Sequence, residues 1–307
     1  MHINIAYSCD DKYASHCGIS IMSLLKTKEK DDIINIFLVS DGITTSNRKR
    51  LQDTVQAFTN ADIEFIDFEL WKATLNLNML WEISLSSYAR LFLPQMLPEK
   101  IKKVIYLDCD TIICESLKDL FTIPMEKKGV AAVQDSIGNE VKGQVGLLAT
   151  DKYFNAGVLL INIEQWKREC LTKKFLDYIE EKDGRVWHHD QGVLNHCFRN
   201  QWLIIHPKYN IMTIHYIYKK KQILRYYKEN AEFYEENYLE EAKRNPVIIH
   251  YTPSFTSRPW EKNCRHPQKK LYREMRDQSL WRCEKLDQTS ETWYQRLIHW
   301  KYRTFKK

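Results

Sequence analysis

The segment Val104-Ile105-Tyr106-Leu107-Asp108-Cys109-Asp110-Thr111-Ile112-Ile113 decides how the rest of the chain is read. Val104 to Leu107 is apolar without alternation, the pattern of a strand covered on both faces. Two carboxylates follow, with Cys109 between them. In extended backbone, residues two apart point to the same side, so Asp108 and Asp110 are expected to converge on one point. Like charges at the end of a buried strand repel unless a cation lies between them, and a divalent ion with hard oxygen ligands suits the pair. A solvated turn holding two aspartates carries the same letters, so the rest of the chain has to decide.

Working outward, His2 to Tyr7 reads as a first strand and Ser8 to Tyr13 as the loop leaving it. Ala14 to Lys26 places Cys17, Ile21, Leu24 and Leu25 at helical spacing. Ile33 to Val39 is a second strand ended by the turn-forming Ser40-Asp41-Gly42. A polar helix with Leu51, Val55 and Phe58 on one face follows, then a third strand at Asp62 to Phe68. This alternation predicts an α/β fold with a parallel sheet and right-handed crossovers, in which ligands collect beyond the carboxyl ends of the strands. The 8–13 loop and the aspartate pair both fall there.

Further along, Ser86 to Pro94 reads as a helix stopped near Pro94, and Ser116 to Phe121 as a surface turn. Val130 to Asp135 is an apolar strand ending in a carboxylate. Tyr153 to Asn162 is a loop entering a strand, and Ile163 to Ile179 one helix. Trp187 to Asn195 begins another helix, with Asp190 near its start. Val247 to Tyr251 is a short strand carrying His250 near its end.

The chain has 307 residues, 44% hydrophobic and 28% charged, with a formal charge of +6. That is the balance of a globular protein with a sizeable core, and the charge permits an anionic partner without naming one. No apolar run approaches the roughly 20 residues of a membrane span, and the N-terminus lacks the pattern of a secretory signal. The eight cysteines show no CxxC pairing, which fits reduced thiols in a cytoplasmic protein better than zinc or disulfide frameworks.

Several ordered motifs resemble glycosyltransferase family 8. They are Cys-Asp-Asp-Lys-Tyr-Ala at 9–14, Ser-x-Tyr-x-Arg-Leu at 86–91 and Tyr-Leu-Asp-Cys-Asp-Thr at 106–111. Phe-Asn-Ala-Gly-Val-Leu-Leu-Ile-Asn at 154–162, Asp-Gln-Gly-Val-Leu-Asn at 190–195, and His-Tyr-Thr at 250–252 with Arg-Pro-Trp at 258–260 complete the set. The resemblance covers roughly Ile3 to Trp260. It implies a GT-A type, Rossmann-like fold with a central mostly parallel sheet over 1–265, followed by a helical, basic and aromatic tail over 266–307.

The resemblance also implies site roles. Asp108, Asp110 and His250 would bind one divalent ion, Mn²⁺ in preference to Mg²⁺ because a nitrogen joins two oxygens. Asp10 would hydrogen-bond uracil and Tyr13 stack on it, with Ser8 in the same nucleotide-binding loop. Arg90 would contact the donor sugar or phosphate, Asp135 the sugar, and Arg258 the β-phosphate. Arg258 stands where the family usually has lysine, and the 253–257 loop before it lacks the family's glycine. Asn155, Asp190 and Gln191 would line the donor sugar and the reacting face. The implied activity is retaining transfer of galactose or glucose from a UDP-hexose to a glycan, with an oligosaccharide or glycolipid acceptor on a lipid-linked cell-surface saccharide. Retention admits two routes, double displacement through a nucleophile or front-face attack by the acceptor, and an amide at Gln191 is a poor nucleophile.

In the tail, Trp293, Leu297 and Trp300 share a helical face, with Arg296, Lys301, Arg303, Lys306 and Lys307 around them. An interfacial helix on an anionic membrane has this composition, which places the protein in the cytoplasm against the inner face of the membrane through 288–307. Two other readings are a self-glycosylating primer like glycogenin and a non-catalytic nucleic-acid binder. The second leaves the ordered acidic and histidine set unexplained, so no nucleic-acid partner is expected.

Overall fold

A computed structural model describes residues 1–75, 77, 85–253 and 255–288. Among the described residues ten strands form two sheets. They are β1 (His2–Asp10), β2 (Ile33–Asp41), β3 (Ala61–Asp67), β4 (Lys103–Leu107) and β5 (Thr111–Ile113), then β6 (Val130–Asp135), β7 (Tyr153–Asn162), β8 (Leu203–Ile204), β9 (Ile211–Met212) and β10 (Ile248–His250). The main sheet has the order β3-β2-β1-β4-β7-β6-β8, and a smaller one the order β5-β10-β9.

The first four strands of the main sheet are parallel, with Ala6 of β1 opposite Tyr106 of β4. β7 runs antiparallel to both β4 and β6, so the sheet is mostly rather than wholly parallel. Helices Ala14–Thr27 and Thr45–Gln56 cover one face, burying Cys17, Ile21, Leu24, Leu51 and Val55 against Ile5, Tyr7, Ile105 and Leu107. The other face packs Ala6, Val104, Tyr106, Leu159 and Ile161 under a 3-10 segment at Leu85–Phe92 and helices Ile163–Arg168, Leu171–Glu181 and His189–Cys197. Both faces of β4 are therefore apolar and covered, as its unalternating sequence requires.

Several local expectations change in the folded chain. β1 runs on through Ser8 and Cys9 to Asp10, so the expected loop is strand up to that point. The Ser86–Pro94 segment is 3-10 up to Phe92, and Pro94 sits in the first turn of the short helix Leu93–Met96 instead of ending one; a first-turn proline loses no helical hydrogen bond. The expected helix over 163–179 breaks at Cys170, whose φ of 52° lies in the left-handed region. Residues 118–122 form a turn of helix with Leu120 buried, and Tyr153 onward is strand throughout.

Residues 266–288 pack onto the same core. Trp281 is seated against Gly18 of helix Ala14–Thr27, where a Cβ would overlap its ring. Tyr272 Oη lies 2.6 Å from His16 Nδ1, and Asp287 bridges to Glu261. The membrane-binding segment expected over 288–307 lies, from 289 on, outside the described residues. Among the described residues no helix is long and apolar enough to cross a membrane.

Candidate active site

The carboxyl ends of β4 and β6, the start of β7 and the end of β10 meet around a cavity of about 600 Å³. Arg90, Asp108, Asp110, Asp135, Asn155, Asp190, Gln191, His250 and Arg258 all line it. Ser8, Asp10 and Tyr13 are not among the lining residues.

Asp108 and Asp110 lie in a turn between β4 and β5, not in extended backbone. Their convergence comes from that turn, held by Thr111 Oγ1 donating to the Asp108 carbonyl at 2.8 Å. The Asp108 amide donates to the Gly157 carbonyl at 2.8 Å, and the Tyr251 amide to the Asp110 carbonyl at 2.9 Å. Ligand-capable atoms of Asp108, Asp110 and His250 all fall within 4.8 Å of one another. His250 Nε2 is 3.0 Å from Asp110 Oδ1 and 3.9 Å from Asp108 Oδ2.

The His250 ring is oriented from behind. Its Nδ1 lies 3.1 Å from Asn210 Oδ1, Asn210 Nδ2 donates to Asn155 Oδ1 at 2.9 Å, and Asn155 Nδ2 donates to Asp135 Oδ2 at 3.1 Å. With Nδ1 donating to Asn210, Nε2 is the nitrogen turned to the carboxylates: protonated, it donates to Asp110, and deprotonated, it offers its lone pair as a histidine does to a metal. Burial disfavours charge on His250, but the Asp110 carboxylate, followed by Asp108, more than offsets it and raises its pKa. Burial likewise opposes ionisation of Asp110, yet His250 and Arg258 hold its carboxyl well below the usual range.

Arg90 is 4% exposed and binds inward. Its Nη2 is 2.8 Å from Asp108 Oδ1, its Nε 2.9 Å from Asp190 Oδ2, and it also donates to the Ser87 and Ala156 carbonyls. Its guanidinium stacks over Tyr106 at 4.2 Å. Arg90 thus ties two acidic residues of the site to each other and to the backbone. Arg258 instead reaches the site from its rim, contacting Asp110 Oδ2 and the Tyr251 carbonyl beside Trp260.

Asp190 and Gln191 open helix His189–Cys197, after His188 and His189 adopt φ of 58° and 53° in succession. Two adjacent left-handed residues without glycine are costly, and they turn the helix start into the cavity. The turn is tight: a Cβ on Gly192 would overlap the Trp187 carbonyl. Gln191 Oε1 accepts from the Ala156 amide at 2.9 Å, which orients its amide. Burial pushes the Asp190 carboxyl up to about 6 against the opposing charge of Arg90. It also raises Asp135, opposed by the Asn155 amide and the Ser136 N–H.

Of the three nucleotide-loop residues, Ser8 donates to the Ser86 carbonyl at 2.6 Å. Asp10 Oδ1 accepts from the Tyr13 amide at 3.0 Å, capping the short 3-10 turn. Tyr13 stands half-exposed beside the site, edge-on to Trp260 at 6.3 Å and to His16 at 5.3 Å. Two further site residues have parts that show only in the fold. Asn210 is fully buried and sits in no recognisable pattern, and Gly157 matters only because of what faces it. A Cβ there would overlap His250 Cε1 and lie 2.7 Å from its Nδ1 and 2.8 Å from Asp108 Oδ2.

Gly157→Ala is therefore expected to push His250 away from Asp108 and to cut any divalent-ion affinity of the site at least tenfold, with Mn²⁺ as the probe ion and the electron paramagnetic resonance of the free ion as the readout. The cost in stability should stay within about 1–3 kcal/mol, as for a locally overpacked site. Asp190 generates a pH dependence. Its folded-state value of about 6 exceeds the ordinary 3.8, so between these values the folded chain keeps a proton that the unfolded chain has lost. Stability then falls as pH rises through that window, by up to about 3 kcal/mol from this group, and is level above it. Urea unfolding at pH 4 to 7 should show this slope in the native protein and its loss in Asp190→Asn.

Residues 4–264 match the sequence profile described as Glycosyl transferase family 8. General stress protein A of Bacillus subtilis is 31% identical over 288 residues, 92% of this chain and 94% of that one. The lipopolysaccharide 1,2-glucosyltransferase of Escherichia coli is 27% identical over 286 residues, 91% of this chain and 79% of that one. The crystal structure of the galactosyltransferase LgtC in complex with donor and acceptor sugar analogs has the same fold, with a TM-score of 0.74 at 24% identity over 91% of this chain and 96% of that one. With the profile spanning most of the chain and the acidic and histidine site at the strand ends, the chain belongs to glycosyltransferase family 8 and is a glycosyltransferase of the GT-A fold.

Proposed function

We propose that the protein is a metal-dependent, retaining transferase that moves galactose or glucose from a UDP-hexose to a glycan. The observation that carries this is the convergence of Asp108, Asp110 and His250 on one point, with Arg258 at the rim of the same cavity. Two carboxylates and an imidazole oriented through its second nitrogen fit a divalent ion, Mn²⁺ before Mg²⁺. Such an ion would replace the direct His250–Asp110 contact, and it would stabilise negative charge on a departing diphosphate. Arg258, already drawn to Asp110, adds a planar fork of donors for the same phosphates.

The remaining residues take supporting parts. Asp10 and Tyr13, at the end of β1, hold the uracil beside Trp260, and Ser8 shapes that strand end through its bond to Ser86. Asp135, Asn155 and Asp190 hold the hexose hydroxyls. Arg90 positions Asp108 and Asp190, and two of its five N–H groups lie beyond these contacts, for the donor sugar or phosphate in the cavity it lines. Gln191, with its carbonyl occupied by the Ala156 amide, presents N–H groups and no nucleophile. Asp190 is engaged with Arg90. These constraints favour front-face attack, in which the acceptor hydroxyl passes its proton to the departing phosphate oxygen. The name of the Escherichia coli relative supports a lipid-linked saccharide as acceptor.

The test is UDP release from a panel of UDP-sugars with Mn²⁺, with and without EDTA. One hexose should be turned over, and both EDTA and Asp110→Asn should lower the rate by at least about 10²-fold, the scale of a lost electrostatic stabiliser. If UDP does not bind with Mn²⁺ present, the reading fails. The basic, aromatic tail is proposed to hold the enzyme on an anionic membrane in the cytoplasm. Deleting 288–307 should release the protein from phosphatidylserine liposomes at unchanged UDP-sugar hydrolysis; persistent binding would refute it.

A further inference from the structure

Three thiols outside the acidic site converge behind it. Cys9 lies near the end of β1, Cys109 between Asp108 and Asp110, and Cys17 on helix Ala14–Thr27. Their sulfurs all lie within 4.8 Å of one another, and all three residues are buried. The sheet brings them together. Ala6 lies opposite Tyr106, so the two chains leave that pairing side by side, Cys9 in the last part of β1 and Cys109 in the turn after β4. Both face the side covered by the helix that carries Cys17. Cys9 Sγ donates to the Asp10 carbonyl at 3.0 Å and Cys109 Sγ to the Ser8 carbonyl at 3.3 Å, so each is already aimed. None of the three has a part in the proposed transfer.

A pyramidal centre bonded to three sulfurs at about 2.3 Å holds them about 3.5 Å apart, so the cluster need contract by no more than about 1.3 Å to close on one. Charge decides which kind of centre fits. A divalent ion on three thiolates leaves a net negative charge, and a monovalent ion leaves two. Either would be buried beneath the two carboxylates that flank Cys109, without a compensating cation of its own. A trivalent centre on three thiolates is neutral.

We infer that Cys9, Cys17 and Cys109 form a tridentate site for a trivalent thiophilic metalloid, taken up as its neutral hydroxide. Arsenous acid is the simplest such species, and it arrives uncharged, as entry to a buried site requires. Three S–H bonds and three As–OH bonds break, and three As–S bonds form. Each departing hydroxide takes one thiol proton and leaves as water, so no oxidation state changes. The product ties the end of β1, the Asp108–Asp110 turn and helix Ala14–Thr27 to one atom. A tie present only in the folded chain stabilises it. The inference does not rest on the donor-sugar reading.

The experiment uses the full reduced chain incubated with arsenous acid and then desalted. Intact mass under non-denaturing conditions should show one arsenic added with three hydrogens lost. Arsenic K-edge absorption should show three sulfur neighbours, and the melting temperature should rise. Cys17→Ala, with folding checked by circular dichroism, should bind at least tenfold more weakly and lose the rise in melting temperature. Cys170→Ala, at an exposed cysteine, should behave as the native protein. Absence of bound arsenic, a centre with two sulfur neighbours, or unchanged binding by Cys17→Ala would overturn the inference. Should Cys17→Ala fail to fold, the sulfur count in the native protein decides it.

Discussion

Two carboxylates held together at the end of a buried strand are the constraint around which the site is built. Left alone, Asp108 and Asp110 would repel in a poorly solvated place. The chain answers with three cationic or protonatable partners drawn from distant segments. Arg90 engages Asp108, while Arg258 and His250 engage Asp110. Because Asp110 is held ionised this way, negative charge is ready at a single point before any ion arrives. Preorganised charge of this kind costs no rearrangement at the moment of reaction, which is why it suits a transferase.

The neighbouring polar groups extend that order outward. From His250 through Asn210 and Asn155 to Asp135, each side chain fixes the next by a hydrogen bond. Arg90 makes a second connection, linking Asp108 to Asp190 across the cavity. The metal-capable corner and the sugar-facing wall are therefore coupled mechanically. A change at Asn210 would reach His250 directly and Asp135 through Asn155, since buried networks of this type act as units.

β7 supplies the geometry that permits this crowding. Running antiparallel beside β4, it sets the Gly157 carbonyl against the Asp108 amide and places Asn155 and Ala156 on the cavity. Only a residue without a Cβ fits between His250 and Asp108. The left-handed pair His188–His189 performs a similar service at the opposite wall, aiming Asp190 and Gln191 inward at a backbone cost repaid by the packing around Gly192.

The sequence by itself determined the α/β alternation, the buried character of β4 and the family, because hydrophobic periodicity and ordered motifs are local properties of a chain. It also pointed to Asp108, Asp110 and His250 as one group. Tertiary structure alone decided how they meet. The pair converges through a turn, β7 runs against its neighbours, and Arg90 faces inward to the acidic residues. It alone brought Asn210 behind His250, Gly157 between the ligands, and Cys9, Cys17 and Cys109 to one point. The physical reason is common to all of these. Each depends on contacts between segments far apart in the chain, whose distance and direction are set by strand order, register and packing, and no spacing along the sequence encodes them.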